Sequence, residues 1–185
     1  MRGAAILCLC AAGFVAPIDV EAAGSDHDIV VHVQKDHTAY EIRLEFTIAA
    51  PLEQTWNVLS DYDHMAQIFS NMDSSRIVRR EGNRLTVAQT SHGKVGPIHV
   101  SVDGVREITL TPMTEIRSHL VKGALKASDF TTNLHAEGSV TRVTVHGRLV
   151  TAAWAAVALS ADTVAAQTRM QYQELRDEVM RRKTH

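Results

Sequence analysis

The chain has 185 residues, 45 % of them hydrophobic and 22 % charged, proportions that suit one domain with a buried core. Its 19 basic and 21 acidic residues nearly balance, so there is no basic field and no nucleic-acid partner is expected. Both cysteines, Cys8 and Cys10, fall at the very start, which removes thiol chemistry from everything after it.

That start differs in kind from the rest. Met1-Arg2-Gly3 is a small positive region, and "AAILCLCAAGFVA" is an apolar run too short to span a bilayer and broken by Pro17. The pattern predicts a secretory signal peptide over residues 1–22, cleaved after Ala22 or Ala23, with Val20 and Ala22 supplying the small residues a signal peptidase reads. Cutting after Ala16 would leave Pro17 at the new N-terminus, and a Leu before each cysteine argues against a lipid-modified one. The remainder, residues 24–185, is expected to be a single soluble domain, periplasmic or secreted, with neither a disulfide nor a cysteine nucleophile.

In "AYEIRLEFTI", Tyr40, Ile42, Leu44, Phe46 and Ile48 alternate with polar residues, the period of a strand with one buried face. With "HDIVVHVQ" it flanks "KDHT" as a hairpin. Pro51 then opens a helix in its first turn, where a missing N–H costs nothing, and Leu52, Trp56 and Leu59 form its apolar face. Ser60-Asp61-Tyr62-Asp63 is expected to stop that helix or cap the next, with Asp61 and Asp63 as capping groups. Met65, Ile68 and Phe69 make the second short helix amphipathic.

From Ser74 onward the pattern is of strands joined by tight links, at Glu81-Gly82-Asn83, Gly93 to Pro97, Pro112, Gly123 and Glu137-Gly138-Ser139, an antiparallel meander. A long helix closes the chain, with Val164, Thr168, Leu175 and Val179 on one face and Ser160 as a candidate cap. The Ala-rich stretch over residues 152–159 reads equally as helix or as apolar loop.

This order and these residues resemble the START-like superfamily (SRPBCC), of the polyketide-cyclase and coenzyme-Q-binding type. The resemblance covers roughly residues 38–182. It is carried by Ala50-Pro51, Glu53-Gln54, Trp56, Leu59 and Asp61-Tyr62, by "VAQTSHGKVG", by "GSVTRVTVHGRL" and by the closing "QELRDEVMRR". It implies an α+β, helix-grip fold: a curved antiparallel sheet wrapped round a long C-terminal helix, with two short helices after the first long strand. It also implies an elongated cavity between sheet and helix for a lipid or other apolar molecule, without choosing the ligand.

Candidate cavity-lining residues are Trp56, Tyr62, Phe69, Gln89, Ser91, Phe130, Thr132, Trp154, Val157 and Val164. Gln89 and Ser91 share strand parity with Leu85 and Val87, and Thr132 and Ser128 share it with Phe130, so polar groups point the same way as the apolar ones. Trp56 reads chiefly as a core anchor, and Tyr62 either lines the cavity entrance or packs under the meander. The same parity turns His119, His135 and His146 outward and leaves His99 ambiguous.

The ten histidines form no HExxH or other ligand spacing, and no nucleophile–base pair, phosphate loop or dinucleotide fingerprint is present. No metal, cofactor or catalytic group is therefore expected. The expectation is a carrier for a lipid, quinone or isoprenoid-like molecule, in brief contact with membranes for ligand exchange. The alternative is a cyclase or dehydratase acting on a polyketide-like substrate in the same cavity. Oligomeric state is left open.

Overall fold

The structure is a computed structural model that describes residues 29–95 and 98–183. The segment expected to be a signal peptide, with Cys8 and Cys10, lies outside these residues, as do His27 and His185.

The first hairpin pairs β1 (Val30–Asp36) with β2 (Ala39–Ile48) through a tight turn in which His37 takes a positive φ of 51°. Every second residue of β2 is buried, from Tyr40 to Ile48, as the alternation requires. The chain then leaves through α1 (Leu52–Leu59), a 3-10 turn (Tyr62–His64) and α2 (Met65–Ile68). Pro51 sits just before α1, and its carbonyl accepts the Thr55 N–H at 3.1 Å. The buried face of α1 is wider than its spacing suggests, since Thr55 and Val58 join Trp56 and Leu59.

These stubby helices have a topological task. Six further strands follow: β3 (Met72–Glu81), β4 (Arg84–Val95), β5 (Ile98–Thr111), β6 (Glu115–Gly123), β7 (Ala127–Glu137) and β8 (Val140–Val150). The sheet order is β1-β2-β8-β7-β6-β5-β4-β3, antiparallel throughout. After β2 the chain must therefore cross the whole sheet to start β3 at the far edge, and the short helices carry it across. The meander then returns strand by strand until β8 pairs with β2. Gly82 and Gly138 make two of its turns with φ of 56° and 62°, a region open to glycine without a steric cost.

The turn expected over Gly93 to Pro97 is shorter than that. Gly93 and Lys94 belong to β4, paired with Val100 and His99, because the β4–β5 hairpin runs on past the end of β6.

The Ala-rich stretch is helical: α3 (Ala153–Ala158) precedes α4 (Ala161–Lys183). Lys35 donates to the carbonyls of Ala156 and Leu159 at 2.6 and 2.7 Å, and the Tyr40 hydroxyl donates to Leu159 O at 2.9 Å. A cation and a phenol thus satisfy carbonyls at the end of α3. Ser160 Oγ accepts the Thr163 N–H at 3.0 Å, the cap expected for α4. No helix among the described residues is long and apolar enough to cross a membrane.

Helix α4 lies along β1, β2, α1 and α2 and buries Thr168, Leu175 and Val179. The Tyr172 ring meets Phe46 edge-on at 5.6 Å. Two polar ties hold the helix to the crossover: Gln54 Nε2 donates to Val179 O at 2.7 Å, and Arg182 Nη1 to Asp61 Oδ2 at 3.0 Å. Hydrogen bonds from Arg181 and Arg182 hold the Glu178 carboxyl at about 2, well below its ordinary range, against the opposing effect of burial.

Asp61 and Asp63 are not side-chain caps as expected. Neither makes a capping bond; Asp61 binds His64 and Arg182, and Asp63 accepts the Ile77 N–H of β3 at 2.7 Å. Tertiary partners outcompete the local ones that capping would use.

Candidate functional site

The concave face of the sheet is packed more completely at one side than at the other. On β2 and β8, Ile42, Leu44, Phe46, Val143 and Val145 are fully buried under α4 and α1. On β4 to β7, the inward-pointing Gln89, Ser91, Arg106, Leu110, Ser118, Phe130 and Thr132 are only half-buried. The register places these residues on the face of the buried Val87, Ile108 and Ile116, so their remaining exposure is toward the inside of the grip.

Arg106 stands in the middle of this face. It pairs across β4 with the buried Val87, and a register shift in β6 opposite Val105 and Arg106 loosens the sheet there. Its Nη1 donates to Ser118 Oγ at 3.2 Å and to Ser128 Oγ at 3.1 Å. Burial pulls the guanidinium below its ordinary pKa, opposed by Tyr62 and Asp129. Tyr62 is buried, and burial, with Tyr172 adding and Arg106 opposing, raises its phenol well above the usual range. The Tyr172 phenol is pushed up to about 12 by burial, against a hydrogen bond from Thr132. Both phenols therefore remain protonated donors at neutral pH.

The candidate lining residues divide on this map. Trp56 and Tyr62 belong to the buried core, with Phe69, Phe130 and Val164 packed against it. Phe130 lies over Gly147, where a Cβ would stand 2.0 Å from the ring, so glycine is what lets the ring cover the strand. Gln89 and Ser91 are half-buried on the inward face, and Gln89 donates to Ser75 Oγ at 3.2 Å. Thr132 sits beside Tyr172.

Trp154 and Val157 do not share this enclosure: they point outward from α3 and are 60 % and 89 % exposed. The α3 face that packs is made of Ala155 and Ala156, and a helix that buries alanine leaves its larger residues outside. His99 is exposed, as are His119, His135 and His146.

Arg106, Ser118 and Tyr172 are candidate site residues that sequence reasoning missed. Parity was the available signal for the first two, since Arg106 shares it with Ile108 and Ser118 with Ile116. Tyr172 lies three residues before Leu175 and four after Thr168, on the buried face of α4.

Among the described residues, no three metal-ligating side chains gather. Two hollows open on the opposite, convex face. One of about 590 Å³ is lined by residues that include His32, Arg43, Glu45 and His146, and one of about 530 Å³ by residues that include Glu107, Arg117, His119 and Asp129. Their charged walls pair largely with one another, as in Arg148 with Glu41 and His119 with Asp129, the pattern of a solvated sheet face.

The fold matches a STAR-related lipid transfer protein of Xanthomonas axonopodis with a TM-score of 0.67 at 17 % identity, covering 85 % of this chain and 97 % of that one. It matches the Zhui aromatase/cyclase of Streptomyces sp. R1128 with a TM-score of 0.65 at 18 % identity, covering 78 % and 95 %. A START superfamily protein of Mycobacterium smegmatis gives 0.58 at 12 % identity, covering 76 % and 93 %. At these identities the likeness is one of fold, and the fold is START-like. A curated relative from Streptomyces halstedii, named "Putative polyketide cyclase", is 38 % identical over 48 residues, 26 % of this chain and 44 % of that protein. The matched segment thus spans less than half of the relative. The description "Polyketide cyclase / dehydrase and lipid transport" matches residues 48–173, from the end of β2 into α4, and the chain belongs to that family.

Proposed function

We propose that this chain is a binding or carrier protein for a hydrophobic small molecule, a lipid, quinone or isoprenoid-like compound held between the sheet and α4. The observation that carries this reading is the set of half-buried inward residues over β4 to β7, beside a fully packed wall over β2 and β8. Membership of a family that joins cyclases, dehydrases and lipid transport supports the choice of an apolar or polyketide-like cargo. Enclosing about 400 Å² of apolar ligand surface is worth on the order of 10 kcal/mol gross at about 25 cal/mol per Å². Ordering and association costs take much of this, which leaves micromolar or tighter binding without any catalytic group.

The signal-like N-terminus supports a periplasmic or secreted location, where a lipid carrier needs brief contact with a membrane. The exposed Trp154 and Val157 on α3 suit such contact.

The second reading is a cyclase or dehydratase. It is favoured by Arg106 and Tyr62, two electrostatically coupled donors that can polarise a substrate carbonyl. Among the described residues no carboxylate or imidazole is buried, so a general base would have to come from the ligand or from water.

Native mass spectrometry of the purified chain tests the carrier reading. A non-covalent adduct of lipid size, released on denaturation, is expected. A chain that flies at its bare mass and takes up no offered long-chain amphiphile would overturn it, and ring closure of an offered poly-β-ketone would favour the second reading.

A further inference from the structure

Arg106 differs from four arginines of the convex face in what surrounds it. Arg84, Arg117, Arg142 and Arg148 lie on the convex face, each within ion-pair distance of a glutamate. Arg106 points into the grip, and among the described residues no carboxylate lies within ion-pair distance of it. A half-buried cation with no carboxylate in contact, and only the charge of Asp129 offsetting its desolvation, carries a cost that an apolar residue at the same place would not.

The guanidinium is also oriented. Ser118 and Ser128 both engage Nη1 and pin that end of the planar fork. Nε and Nη2, whose N–H groups run parallel along one edge, have no protein acceptor among the described residues. They are not sealed from solvent either, because among the described residues the buried side-chain atoms left without a partner are Thr55 Oγ1 and Thr151 Oγ1. A free Nε/Nη2 edge matches two oxygens of one oxyanion. Val87 and Leu120 pair with Arg106 in register and are buried, so apolar side chains flank it across both neighbouring strands.

We infer that the cargo is an acidic amphiphile whose carboxylate or phosphate head seats on the Nε/Nη2 edge of Arg106 while its apolar body lies along the inner wall past Phe130. This rests on the carrier reading and adds the class of ligand to it. Burial keeps the Tyr62 phenol protonated, so it adds no negative charge that would repel the anion.

The experiment compares hexadecanoate, hexadecyl phosphate and hexadecanol by calorimetry on the full purified chain, stripped of lipid, and on Arg106→Met and Arg106→Lys. The wild type should bind at least one acid about ten- to a hundredfold more tightly than the alcohol. The stronger of the two acids identifies the head group. Arg106→Met should lose the preference and keep its affinity for hexadecanol, while Arg106→Lys, a point charge without a fork, should keep part of it. Equal binding of acid and alcohol by the wild type would overturn the inference and leave the carrier reading standing. So would an acid preference that survives in Arg106→Met. Binding of none of the three would overturn both. The wild-type comparison needs no variant, so it decides the matter even where Arg106→Met fails to fold.

Discussion

Trp56→Ala is expected to cost about 3–5 kcal/mol of folding stability, as the loss of a large buried aromatic does. Trp56 is 8 % exposed and sits between Thr55 and Val58, both fully buried, on the face that α1 turns to the core. The same helix is tied to α4 through Gln54 and Val179, so a cavity beneath it loosens the crossover and the long helix together. Against a total stability of about 5–15 kcal/mol, that is a large fraction. Urea unfolding followed by circular dichroism reads it as a fall in midpoint at an unchanged slope. A variant of wild-type stability that merely loses ligand would assign Trp56 to the binding site instead.

Gly147→Ala is expected to displace Phe130 from the inner wall. The new Cβ would lie 2.0, 2.4 and 2.5 Å from Cδ1, Cε1 and Cγ of that ring. Because Cγ is among them, turning the ring in place does not relieve the clash; the whole side chain must leave. Overpacking of this kind costs about 1–3 kcal/mol. Removing the ring removes the clash, so Gly147→Ala with Phe130→Ala should be more stable than the sum of the two single effects, by about 0.5–3 kcal/mol. Simple additivity in the double-mutant cycle would show that the ring does not rest on Gly147. If Phe130 lines the ligand path, the single variant should also weaken ligand binding.

Much of the architecture was legible because strand parity and turn residues act locally. Tyr40 to Ile48 alternate so regularly that their buried face follows from the period of a strand, and Gly82, Gly138 and Ser160 each do the local job their chemistry suggests. Parity also turned His119, His135 and His146 outward, where they lie.

What was not legible depends on partners distant in sequence. Asp61 binds Arg182, 121 residues away, and no local rule for capping anticipates that pull. Trp154 and Val157 sit in a helix whose neighbours are nearly all alanine, so the sequence carries no amphipathic stripe to say which side is buried. Arg106 occupies an inward parity position that reads as an interruption of an apolar row until the serines of β6 and β7 are seen to hold it. The site therefore lies where the regular pattern breaks.

If the chain is a carrier, an apolar molecule lies between β4 to β7 and α4, on the concave side. Intermolecular nuclear Overhauser effects from a bound hexadecanoate chain to the protein's aromatic rings test this most directly. Contacts to Phe130, Tyr172 and Tyr62 are the predicted result. Contacts to His32 and His146 in the convex hollow, with none to the inner rings, would contradict it.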